Sequence, residues 1–127
     1  MNKDSNVLNW FEIPVSDISR AKTFYTNIFG LKEMEEMEMM GNKMAFFPAD
    51  QGNGKVSGAL VMGEGYKPTM DGALVYLNAD PKMDAAEKIE NAGGKVIMPK
   101  THISPEIGYM AVFIDSEGNR MALHSNG

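Results

Sequence analysis

The chain spells one order of elements twice, and this duplication restricts its possible folds more than any other feature. In "NWFEIPV", Trp10, Glu12 and Pro14 fall on one side of an extended strand while Phe11, Ile13 and Val15 fall on the other. A strand is expected over residues 7–14. Ser16 or Asp17 can then cap a helix in which Ile18, Ala21, Phe24, Tyr25 and Ile28 recur at helical spacing until Gly30. "EMEEMEMMGNKMAFF" reads as a hairpin turning at Gly41 and Asn42, "KVSGALVMG" as a further strand, and "GEGYKPTMDG" as a linker.

The second half repeats the order. "GALVYLNAD" is a strand, Asp80 a candidate N-cap with Pro81 at the first helical position, and Met83, Ala86 and Ile89 a helical stripe that ends at "AGG". "KVIMP", "GYMAVFID" and "RMALHS" complete three strands, with "DSEGN" as the last turn. A shift of about 64 positions lays Val15 on Ala79, Ala21 on Ala85 and Gly30 on Gly94, and sets "SGALV" beside "RMALH". The expectation is a single α+β domain over residues 1–127. Its first module covers about residues 7–62, its linker about 63–72 and its second module about 73–125.

The apolar fraction, 43%, is enough for one core in 127 residues. Twelve Lys and Arg stand against 17 Asp and Glu, for a net charge of −5 with no basic run, so neither nucleic acid nor an anionic membrane is an expected partner. The absence of cysteine removes disulfides and thiolate chemistry. With no apolar span of membrane or signal length, a cytoplasmic protein is expected.

A strand ending in "PVSD", a helix containing "RAKTFYTNIFG", a second helix closing on "AGGKV" and a final "DSEGNRMAL" hairpin together resemble the vicinal oxygen chelate superfamily. Its members include glyoxalase I, the bleomycin and fosfomycin resistance proteins and the extradiol dioxygenases. The resemblance covers nearly the whole chain. It implies two tandem βαβββ modules forming a curved eight-stranded mixed sheet around a cleft. It also implies a homodimer whose clefts draw on both subunits. In metal-dependent members the first and last strands of each module each supply one metal ligand.

By the same resemblance those four positions fall on Trp10, Gly58, Leu74 and Ala122. None of these side chains can donate a lone pair to a divalent cation, so no metal and no other cofactor is expected. They suit instead the wall of a cleft for an apolar or aromatic ligand. Two positions further along each strand stand Glu12, Leu60, Tyr76 and His124, a carboxylate, an aliphatic, a phenol and an imidazole. Glu12 and His124 are candidate acid–base residues, and Tyr76 can bind a ligand's polar end. His102, in a loop between Pro99 and Pro105, is a further candidate ligand contact.

The methionines around the first hairpin read as a flexible apolar strand face. The leading functional expectation is metal-independent binding of a small organic molecule. The alternative is a glyoxalase-like lyase or isomerase using Glu12 and His124 as acid–base groups or nonstandard metal ligands. A third is an interaction module whose cleft is filled by Trp10.

Overall fold

A computed structural model describes residues 1–49 and 54–126. The elements follow the doubled order: β1 (Trp10–Pro14), α1 (Ile18–Phe29), β2 (Glu36–Met39), β3 (Asn42–Phe46) and β4 (Ser57–Met62), then β5 (Tyr76–Asn78), α2 (Asp84–Lys88), β6 (Lys95–Ser104), β7 (Gly108–Ile114) and β8 (Arg120–Ser125). The strands divide into two four-stranded mixed sheets, ordered β1-β4-β3-β2 and β5-β8-β7-β6. In each, the first strand runs parallel to the last and the other pairs are antiparallel. Among the described residues no ladder joins β1 to β5, so the eight strands of one chain are two sheets rather than one continuous sheet.

The halves meet through a shared core. Helix α1 buries Ile18, Ala21, Phe24, Tyr25 and Ile28, the stripe its periodicity predicts. Asp17 Oδ1 accepts from the Arg20 N–H at 3.0 Å, and Gly30 ends the helix in a left-handed conformation, with φ 64°. Burying each large apolar side chain contributes about 1.5–3 kcal/mol against about 1 kcal/mol for a cap, so packing holds this helix. One apolar cluster contains Ile13, Phe24, Tyr25 and Leu60 of the first half and Leu77, Met83, Phe113 and Leu123 of the second.

The turn between β7 and β8 clasps the other half. Glu117 Oε1 accepts from the backbone N–H groups of Ser16 and Asp17 at 2.8 and 2.9 Å, and Arg20 grips the same carboxylate at 2.6 and 3.0 Å. Burial alone would raise the Glu117 pKa. The donors from Arg20, Asp17, Ser16 and Ser116 hold it below the ordinary value. Beneath it, buried Asp115 accepts from the Tyr25 hydroxyl at 2.7 Å, and Asn119 Nδ2 donates to the Pro14 carbonyl at 2.7 Å. Burial, reinforced by Asp115, pushes the Tyr25 phenol well above its usual pKa.

Several local expectations change. The first hairpin turns at Met40 and Gly41, with φ of 53° and 81°, one residue before the expected pair; two successive positive φ values match the twist of a tight hairpin. Helix α2 starts at Asp84 rather than Pro81, after a turn closed by the Met83 N–H on the Asp80 carbonyl at 2.9 Å. Met83 is 1% exposed, and its burial outweighs the left-handed backbone it adopts. Strand β6 continues through "KTHIS", where a loop is expected. Pro99 is tolerated there because β6 is an edge strand whose register shifts between Met98 and Thr101. No helix of the described residues is long and apolar enough to cross a membrane.

Candidate functional site

Residues directly opposite one another on paired strands share a face, so register decides which side chains can meet. In the first sheet Trp10 lies opposite Ser57 and Glu12 opposite Ala59, while Ala59 faces Phe46 and Val61 faces Met44. All of these lie on the side away from α1, where Met44, Ala59 and Val61 form a second apolar cluster flanked by Trp10, Phe46 and Tyr66. The Trp10 and Phe46 rings are 6.0 Å apart. Glu12 stands at the edge of this patch, accepting from the Tyr66 hydroxyl at 2.6 Å and from the Trp10 indole N–H at 3.3 Å. The hydrogen bond to Glu12 raises the Tyr66 pKa above the ordinary phenol value, since losing the proton would break it.

Gly58 does not belong to this face. It lies opposite Phe11 on the core side, and a Cβ there would stand 2.6 Å from the Phe11 ring. The glycine makes room for an aromatic neighbour. The backbone bonds Val15 N–H to Val61 and Ala79 N–H to His124 equate Val61 with His124, and hence Ala59 with Ala122. In the last strands the repeat is one position shorter than elsewhere, and Ala59 takes the place expected of Gly58.

In the second sheet Tyr76 lies opposite Ala122 and Asn78 opposite His124, while Leu77, Met121 and Leu123 enter the core. Ala122, His124, Tyr76 and Arg120 therefore share the outer face. His124 Nε2 lies 2.6 Å from the Ile107 carbonyl, which requires the proton on Nε2. His102 pairs with Tyr109, their rings 5.1 Å apart. Tyr109 packs against the core cluster, so His102 lies on the opposite side of the sheet from Ala122 and His124.

Glu12 belongs to the first sheet, and Tyr76 and His124 to the second. Glu12 and His124 sit on different sheets, each with its own partner. Trp10 lines an open cavity of about 640 Å³ with Phe46, Ser57, Leu31, Glu33 and Glu35. Leu74 and Tyr76 line a neighbouring cavity of about 860 Å³ with Phe11, Phe29, Ala85 and Lys88. Phe47, Pro48 and Ala49 border both.

Paired βαβββ modules with apolar outer sheet faces define the class of fold. The family model described as Glyoxalase/Bleomycin resistance protein/Dioxygenase superfamily matches residues 7–123, and the chain belongs to that superfamily. A "Glyoxylase-like domain-containing protein" from Didymella fabae is 28% identical over 123 residues, 91% of each chain. The solved structure of a glyoxalase/bleomycin resistance protein from Albidiferax ferrireducens T118 superposes with TM-score 0.69 at 14% identity, covering 96% of this chain and 100% of that one. A glyoxalase I mutant from Zea mays superposes with TM-score 0.68 at 21% identity. The match covers 94% of this chain but 46% of the maize chain, so this protein spans about half of it.

The resemblance assigns a metal's ligands to the first and last strands of each module. Trp10, Ala59, Leu74 and Ala122 offer an indole, two methyl groups and an isobutyl group, none with a lone pair for a divalent ion. They do not fit a metal. Sequence reasoning missed Met44, Phe46 and Tyr66, since their approach to Trp10 depends on strand order and on the linker's path. It also missed Arg120, whose place two positions before Ala122 on an alternating strand was the signal that could have found it.

Proposed function

We propose that this protein binds a small organic molecule without a metal, in a cleft completed by a second copy of the chain. The observation that carries the reading is the Trp10–Phe46 wall of an open cavity, with Trp10 at a strand position to which the resemblance assigns a metal ligand. An indole and a phenyl ring at an open concave surface favour an apolar or aromatic ligand body. Glu12, fixed by Tyr66 and Trp10, supplies an oriented acceptor for a polar group.

The homodimer is supported by the separation of the half-sites. Trp10 and Glu12 lie on one sheet and Ala122 and His124 on the other, with no ladder joining β1 to β5 among the described residues. A partner's second sheet facing this chain's first would close two equivalent clefts.

Trp10 is the single tryptophan, so its emission reports occupancy of the cleft directly. A panel of aromatic and aliphatic metabolites should contain members that shift this emission and raise Tm by several degrees, equally with and without zinc, nickel, manganese or ferrous iron. One tightly held metal per chain after desalting, with binding lost on chelation, would overturn the metal-independent reading.

A further inference from the structure

The two arginines of the chain are treated oppositely. Arg20 spends its guanidinium on Glu117 in a two-pronged ion pair. Arg120 takes part in neither of the ion pairs among the described residues, Arg20–Glu117 and Lys22–Glu36. Its Nε is shielded from water with no hydrogen-bond partner. A buried N–H left without an acceptor forfeits its hydration uncompensated, and in a chain with more acidic than basic residues acceptors are not scarce.

Position explains what the guanidinium is available for. Arg120 lies opposite Ile114 on the outer face of the second sheet, in line with Ala122 and His124 on β8. The next row on that face is Val112 and Ala122, both buried and apolar. Lys95 lies on the other side of Ile114, so a second cation flanks the same row. The linker passes close by, with the Arg120 N–H directed at the Thr69 carbonyl and the Thr69 N–H on Asn119 Oδ1 at 3.0 Å. This anchors the backbone from which the side chain extends. On the facing half of the site, Glu12 is already supplied with donors by Tyr66 and Trp10.

We infer that Arg120 is the specificity residue of the cleft and selects organic anions, a carboxylate or sulfonate carried on an apolar or aromatic body. The anionic group takes the planar guanidinium, with Lys95 adding long-range attraction, and the body extends toward Trp10 of the facing half. This inference rests on the small-molecule reading above and adds the sign of the ligand's charge.

Two fluorescent probes of one skeleton test it: 8-anilinonaphthalene-1-sulfonate, and N-phenyl-1-naphthylamine, which lacks the sulfonate. Both are titrated into the wild type, Arg120→Gln and Arg120→Lys, each variant first shown to keep a cooperative thermal transition. Losing a charge-assisted hydrogen bond should weaken the sulfonate probe about tenfold or more in Arg120→Gln while leaving the neutral probe within about twofold. Arg120→Lys should recover part of the loss. In the wild type, added salt should weaken only the anionic probe. Sulfonate affinity unchanged in Arg120→Gln and insensitive to salt, with both probes bound, would overturn the role of Arg120 and leave the cleft standing. Failure of the wild type to bind either probe would overturn this inference together with the open-cleft reading.

Discussion

The two halves of the chain share one topology, yet their helices are unequal. Helix α1 has twelve residues, a side-chain N-cap, a left-handed glycine at its end and five buried side chains. Helix α2 has five residues, begins at a methionine in the left-handed region with no side-chain cap, and buries Ala85 within its span. The stronger helix also receives the clasp: Asp115, Glu117 and Asn119 of the second half reach Tyr25, Ser16, Asp17, Arg20 and Pro14 of the first. The difference teaches where stability resides. It is concentrated at the seam between the modules, on the core side of both sheets. The outer faces, which carry Trp10, Ala59 and Ala122, lie away from that seam.

The sharpest way to break this comparison is Asp115→Ala. The carboxylate accepts from the Tyr25 hydroxyl, the Asn119 side chain and the backbone N–H groups of Glu117 and Asn119. Removing it strands several buried donors, so a loss of about 3 kcal/mol or more is expected in urea unfolding. Hydrogen exchange locates the damage. If the seam governs α1, the amides of Phe24 to Ile28 should lose protection along with those of β8. Protection retained in α1 would mean that each module stands alone and that the clasp is incidental.

The fold was legible where sequence signals are local. Asp17, the apolar stripe and Gly30 define α1 within one short segment, and the alternation in "RMALHS" defines β8. Boundaries set by burial were less legible: Met83 enters the core and delays α2, and Pro99 reads as a loop signal although an edge strand accommodates it. On the site, Trp10 and Ala122 were placed on the outer faces, but Gly58 required the observed register, because a shift of one residue moves a strand side chain to the opposite face. The clasp was not legible. "DSEGN" reads as a turn and is one, while the backbone that Glu117 grips at Ser16 lies 101 positions away.

A middle-sized effect sharpens the comparison through pH. Glu117 has a side chain fully shielded from solvent, whereas Arg20 is half exposed, so their pair is worth less than a buried one. Glu117→Gln should cost about 1–2 kcal/mol at neutral pH. Because folding lowers the Glu117 pKa below its ordinary 4.5, the contribution is present above that value and disappears as pH falls through the folded-state value. Urea unfolding of wild type and variant between pH 7 and pH 3 should give curves that converge in acid. A gap that stays constant would show that lost packing, and not the charge, sets the cost.

The smallest effect compares the two helices directly. Asp17 Oδ1 accepts from the Arg20 N–H and Asp80 Oδ1 from the Asp84 N–H, each at 3.0 Å, so the two bonds are alike in geometry. They differ in what depends on them. Asp17 closes the N-terminus of a helix whose buried face ties the modules together, and Asp17→Ala should cost about 1 kcal/mol. Asp80 closes a turn before a short helix, and the buried Met83 and Ile89 still hold the segment when that bond is lost. Asp80→Ala should therefore cost about half as much, within the range of a weak cap. Paired urea titrations at pH 7 resolve this difference. An Asp80→Ala loss equal to or larger than that of Asp17→Ala would mean that α2 contributes as much as α1, and the seam would then rest on both helices.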